Sequence, residues 1–274
     1  MKQIISILIL ITFSLNVTAQ VDLELESNNI LTEGIMLYKL EKAAWQSTDT
    51  LKTLIEATDI TGYVALFNND KINVLYYKAL SDTSYNILHT IEFDTTFNVN
   101  FLNVNNNIRK PNQLELEYIN LREGAYGILS HFDGMYGTYR NTNKNIIILR
   151  VNDNFTIFST TGTTETGIIP LGNDFEFSSN LHEKNMDYVG KIHSNYIPLS
   201  VNNLPENVAA TMHNHSWQSS KFITSTDICI LLLYRDFIPV KKHIVFSRRY
   251  VSIFDIENCQ LEIMTKKDYN KLSD

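Results

Sequence analysis

Val208-Ala209-Ala210-Thr211-Met212-His213-Asn214-His215 and, after a short polar stretch, Phe222-Ile223-Thr224-Ser225-Thr226-Asp227-Ile228 decide how this chain reads. Val208–Met212 predicts a short buried strand, and it runs straight into His213 and His215. Thr226–Phe237 is apolar and predicts a helix, with Thr224 in the place of its cap. Residues i and i+2 of an extended segment point to one face, so both histidines can reach one metal ion. Asp227, in the first turn of the helix, can complete three protein ligands. A fourth position is then left for water, the arrangement of catalytic rather than structural zinc. Zinc there lowers the pKa of that water toward neutrality. The plainer alternative is that the histidine pair arises by chance and Asp227 is an acid favoured by the helix dipole.

Outward from this segment the pattern is mostly strands. Downstream, His243–Ser247, Tyr250–Asp255 and Leu261–Thr265 each predict one. Upstream come Asn145–Arg150, Phe155–Thr160, Gly167–Leu171, Phe175–Ser178 and a long strand over Tyr188–Leu199. The Gly- and Asn-containing stretch from Asp133 to Asn145 buries little and is the best boundary. Before it, Leu31, Ile35, Leu37, Leu40, Ala44 and Trp45 follow helical spacing, and a second short helix is expected over Thr50–Ala57. Strands follow at Gly62–Phe67, Ile72–Tyr77, Tyr85–Phe93 and Phe97–Val104, with Asn68-Asn69-Asp70 as a hairpin turn. A helix over Gln113–His131 closes this part. The fold class is α+β: an accessory mixed helix and strand domain over 20–140, then a strand-rich domain over 141–274.

The stretch His213-Asn214-His215 followed by Thr224-Ser225-Thr226-Asp227 resembles the JAB/MPN superfamily of JAMM metallopeptidases. Their signature is a distant Glu, HxHP, seven residues counted after the second His, then SxxD. Lys242-His243-Ile244-Val245-Phe246-Ser247-Arg248-Arg249-Tyr250-Val251-Ser252-Ile253 is similar to RadC-type members, and the likeness spans roughly residues 165 to 265. It implies an α+β JAB/MPN-like domain holding zinc through His213, His215 and Asp227. It implies a general base upstream, for which Glu165 in Glu165-Thr166-Gly167-Ile168-Ile169-Pro170-Leu171-Gly172 competes with Glu176, Glu183 or none. Thr224 stands where the family has a Ser that assists the oxyanion, and a helix cap is compatible with that role. Three departures are Ser216 in place of proline, one extra residue before Thr224, and no clear helix before Glu165. His193, on a strand leading toward the site, is either a ligand, a partner that orients one, or a half-exposed strand histidine.

Residues 1–19 read as a cleavable export signal: Lys2, an apolar run from Ile4 to Phe13, then Val17-Thr18-Ala19, with Gln20 as the expected new N-terminus. The protein is therefore expected to be secreted or periplasmic. No later segment approaches the length of a membrane span. A net charge of −7 argues against nucleic acid, which needs a basic footprint. Neither of the two cysteines, Cys229 and Cys259, is placed like a zinc-finger ligand, since there is no CxxC; export permits a disulfide, and a buried free thiol at Cys229 fits its apolar surroundings. Two functions follow: an exported zinc-dependent peptidase acting on a peptide or isopeptide bond of a peptide or protein substrate, or a non-catalytic exported binding protein that kept the fold.

Overall fold

The structure, a computed structural model, describes residues 21–54, 60–131, 139–181, 186–193, 195–202, 204–205, 208–216 and 219–272. The expected export segment, residues 55–57 of the expected second helix, and Glu183 lie outside them. The architecture is α+β, with helices packed on several largely antiparallel sheets.

Helix α1 (Leu23–Leu54) starts where Asp22 accepts a hydrogen bond from the Leu25 amide at 3.1 Å. It runs unbroken through the polar stretch where two helices were expected. The Thr48 and Thr50 hydroxyls donate back to the carbonyls of Ala44 and Gln46, at 2.9 and 2.8 Å, and so remain compatible with the helix. Strands β1 (Gly62–Asn68), β2 (Lys71–Ser81), β3 (Ser84–Asp94) and β4 (Phe101–Asn105) then form an antiparallel meander. Strand β4 begins later than Phe97 because the Asp94 carboxylate accepts from the amides of Thr96 and Asn100, at 3.2 and 2.9 Å, and closes a turn there. Helix α2 (Gln113–His131) opens on a reciprocal cap between Asn112 and Glu115.

Strands β5 (Thr142–Val151), β6 (Asn154–Thr163), β8 (Phe175–Asn180) and β9 (Asp187–Lys191) form a second antiparallel sheet in that order. Strands β7 (Ile168–Gly172) and β10 (Tyr196–Ser200) pair separately. The last sheet is β11 (Ala210–Asn214), β12 (Lys242–Phe246), β13 (Tyr250–Asp255) and β14 (Gln260–Thr265), before the short helix α4 (Lys266–Lys271). Among the described residues, β11 and β12 alone pair in parallel, which requires a crossover; helix α3 (Ser225–Leu233) supplies it. Its expected last turn is instead a 3₁₀ turn at Arg235–Phe237.

All nine residues of α3 are buried, so it has no polar face and its place is the middle of the core. Each fully buried Ile or Leu contributes roughly 1.5–3 kcal/mol. One apolar core joins Leu37 and Leu40 of α1, Ile72 of β2 and Ile147 of β5 to Ile228–Leu233 of α3 and Val245 and Phe254 beyond it. The residues on either side of the boundary expected at 140/141 therefore share a core. Helix α1 packs directly on α3. Gly34 lets it approach α3, since a Cβ there would sit 2.7 Å from Ile228. A second core lies under α2, around Tyr77, Ile119, Phe155 and Phe177. Both cysteines are free thiols, Cys229 buried and Cys259 partly so.

Candidate metal centre

Three breaks in regular structure build the centre. The first is at the end of β7. Gly172 has φ +74°, and a Cβ there would meet the Asn195 carbonyl at 2.3 Å. The chain beyond β9 is held to this corner: the Asn173 amide donates to Asn195 O and the Ile192 amide to Asp174 O, both at 2.9 Å. The single strand expected over Tyr188–Leu199 is thereby split into β9 and β10, and His193 falls in the gap, 2% exposed. The second break is the end of β11, which carries His213, with His215 one step beyond; the His215 amide still donates to Phe246 O at 2.8 Å. The third is the start of α3. Thr224 and Asp227 form a reciprocal cap that presents the Asp227 carboxylate inward, 1% exposed.

These breaks converge on one point. One donor atom each from His193, His213, His215 and Asp227 lies within 4.8 Å of the others. His193 Nε2 is 2.8 Å from His215 Nε2, which is 3.0 Å from His213 Nε2. Asp227 Oδ2 lies 3.4, 3.9 and 3.7 Å from the Nε2 atoms of His193, His213 and His215. Zinc bonds of ~2.0–2.1 Å in a tetrahedron place neighbouring ligand atoms roughly 3.3–3.4 Å apart. The observed separations bracket that value.

The outer nitrogens fix what the inner ones are. His215 Nδ1 is 3.1 Å from the Ser220 carbonyl, which can only accept, so Nδ1 carries the proton and Nε2 a lone pair. His193 Nδ1 donates to Asp174 Oδ1 at 2.7 Å, and Asp174 Oδ2 accepts from the Thr226 hydroxyl. His213 Nδ1 is 2.8 Å from His243 Nε2, whose own Nδ1 is 2.8 Å from Thr211 Oγ1. Passing protons outward along that relay leaves a lone pair on His213 Nε2 as well. Carboxylate, imidazole and carbonyl partners behind metal-ligating imidazoles have this role of orienting the ring and raising its basicity.

The electrostatics agree. Burial holds His215 down to about 4 and His243 down to about 3, and it lowers His213, with Asp227 opposing it in part. All three are neutral rings. Burial resists the charge on His193 too, but Asp174 and Asp227 overcome it and raise that ring well above its ordinary value. Burial opposes ionisation of Asp227, while His193 and His213 outweigh it and hold the carboxyl well below its usual range. A positive charge beside Asp174 and Asp227 is thus favoured, and a proton on His193 or a metal ion in its place supplies it. Asp227 Oδ1 is also buried without a hydrogen-bond partner among the described residues. The four residues could hold a metal ion, and the donor set fits one.

The other residues singled out from sequence sit differently. Glu165 lies in the turn between β6 and β7, where it accepts from Asn141 Nδ2 at 2.5 Å, outside the converging group. It lines a cleft with Trp45, Ile169 and Tyr234 instead. Glu176, in β8, is half-buried and lines a different groove that also touches Thr224 and Ser225. The Thr224 hydroxyl is engaged with Asp227 Oδ2 at 2.8 Å and lies 2.9 Å from that of Thr226. Sequence left the part played by His193 open and read nothing in Asp174. The Ser-Asn pair after His193 is a turn signal that interrupts a strand, and it marks the gap.

Comparison with protein-family models, with curated proteins and with solved structures finds no match.

Proposed function

We propose that this chain is a zinc-binding protein in which His193, His213, His215 and Asp227 close around one ion, and that it serves as a binding domain rather than a hydrolase. The observation that carries this is the convergence of three buried imidazole nitrogens and one buried carboxylate oxygen on one point. Three imidazoles and a carboxylate suit zinc, with copper(II) the natural competitor on affinity alone. Four protein donors fill a tetrahedron, as in structural zinc sites. Burial argues the same way, because no donor residue is more than 7% exposed. The ligands come from the β9–β10 gap, the end of β11 and the start of α3, so one ion ties three chain segments together. Export rests on residues 1–19 alone, and mass spectrometry of the extracellular or periplasmic protein should find its N-terminus near Gln20.

The test is metal content and coordination. Purified protein is expected to hold one zinc per chain, and His213→Ala or His193→Ala to lose it. Cobalt substitution should give a four-coordinate visible spectrum with no exchangeable solvent ligand. Full zinc in both variants would sink the proposal.

A second reading, the zinc peptidase, is favoured by the groove that runs past Thr224 and Ser225 with Glu176 on its wall. In it His213, His215 and Asp227 hold the metal, which supplies an activated nucleophile, and His193 moves aside. Burial, with Glu33 nearby, raises Glu176, as a proton acceptor needs. Glu165 is the alternative base and would have to leave Asn141. Cleavage of a peptide or cross-linked peptide library that stops with chelator and with Glu176→Gln or Glu165→Gln would favour this reading over the closed site.

A further inference from the structure

We propose that the pocket beside the histidine segment, bounded by Ser216, Ser219, Lys221, Arg248 and Arg249, is an oxyanion-binding site for a phosphate- or sulfate-bearing ligand. It encloses about 360 Å³, larger than an inorganic oxyanion, so the anionic group belongs to a bigger molecule. Among the described residues, three cationic ones and no acidic one line it, on a chain whose net charge is −7. Among the described residues no ion pair engages Lys221, Arg248 or Arg249. Like charges gathered without a counter-charge repel one another, and a multivalent anion relieves that repulsion. Arginine pairs with such groups through two parallel hydrogen bonds, and serine hydroxyls add neutral donors.

The walls are built before any ligand arrives. The Ser219 amide donates to Ser216 O at 3.1 Å and their hydroxyls meet at 3.0 Å. The Ser247 hydroxyl donates to the Lys221 carbonyl, and its amide to Tyr250 O at 3.0 Å, which joins this loop to the β12–β13 turn carrying both arginines. The Ser220 carbonyl is anchored by His215. The backbone that carries Lys221, Arg248 and Arg249 is thus tied down, while their exposed side chains are open to a ligand.

The experiment is calorimetric titration of the full chain with sodium sulfate and, separately, inorganic phosphate, with sodium chloride as control. Saturable one-to-one binding is expected for both oxyanions and not for chloride, weakening as ionic strength rises. Arg248→Gln/Arg249→Gln should weaken it about tenfold or more, since each arginine contributes charge-assisted hydrogen bonds. Lys52→Gln, at an exposed position of α1 far along the chain, should leave it unchanged. Metal content and melting temperature should stay at wild-type values in all variants, so the outcome is read apart from the metal proposal. No saturable binding, or equal affinity in the double arginine variant, would overturn the site.

Discussion

Two carboxyl groups on packed helices are buried almost completely, and the chain resolves them in opposite ways. Glu41 of α1 is 2% exposed and Asp227 of α3 is 1% exposed. Around Glu41 stand Trp45 Nε1 at 3.0 Å and Asn145 Nδ2 at 2.8 Å, neutral donors that stabilise the charge only in part. Burial wins and raises Glu41 to about 7. Around Asp227 stand two capping donors of Thr224 and three imidazoles, and the carboxyl stays ionised. A buried carboxylate needs either a proton or a cation. Glu41 takes the proton. Asp227 has a cation beside it instead, the charge on His193 or that of a metal ion in its place.

The sharpest way to break this comparison is to make the same change at both places. Asp227→Asn should abolish zinc binding and cost roughly 3–5 kcal/mol, because it leaves buried partners uncompensated. Glu41→Gln should do the reverse at alkaline pH. The folded value of Glu41 lies above its unfolded value of 4.5, so its contribution is present below 4.5 and is lost as pH rises to about 7. That displacement corresponds to about 3 kcal/mol. The glutamine variant should therefore match the wild type at pH 4 and exceed it by up to that amount at pH 8. Denaturant melts at both pH values measure the difference; an equal gap at pH 4 and pH 8 would remove the proton from the account.

A smaller effect sharpens the same contrast from behind the ring. Asp174 holds His193 Nδ1 and takes the Thr226 hydroxyl. Asp174→Asn keeps the shape but weakens the acceptor, and zinc affinity should fall about ten- to a hundredfold. Competition with a coloured chelator reads this directly. An unchanged affinity would mean that His193 is not a ligand and that the centre has three protein donors, as a peptidase needs.

The legible part of the site was the part written locally. His213, His215 and Asp227 lie on a strand end and a helix start, both announced by hydrophobic pattern and cap chemistry, and the structure brings them together. The part of His193 stayed open and Asp174 went unread because their positions depend on a long-range contact. Gly172 and Asn195 meet across the chain and cut a strand that alternation alone would run through. The long α1 was hidden for the opposite reason: Ser47, Thr48 and Thr50 look like a break but satisfy themselves within the helix. Helix α1 packs on α3 from far upstream in the chain, where no local pattern connects the two.

Thr224 is where the two readings of the centre differ by the least energy and still give different results. Its hydroxyl accepts from the Asp227 amide at 3.1 Å and lies 2.8 Å from Asp227 Oδ2, while its own amide donates to that oxygen at 3.0 Å. Thr224→Val keeps the volume and the backbone amide but removes the hydroxyl's contacts with Asp227 and Thr226. Losing a helix cap of this kind costs about 1 kcal/mol, and a small drop in zinc affinity should accompany it as the carboxylate loosens. Thr224→Ser should restore stability and affinity together, because the oxygen returns to the same place. In a hydrolase the hydroxyl would instead assist charge developing on a substrate, and its loss would cost turnover by up to about 2.7–4 kcal/mol in barrier. Equilibrium melts and chelator competition on the valine and serine pair therefore separate a cap that steadies a ligand from a donor that serves a reaction. A valine variant that melts and binds zinc like the wild type would show that the cap contributes nothing to the centre.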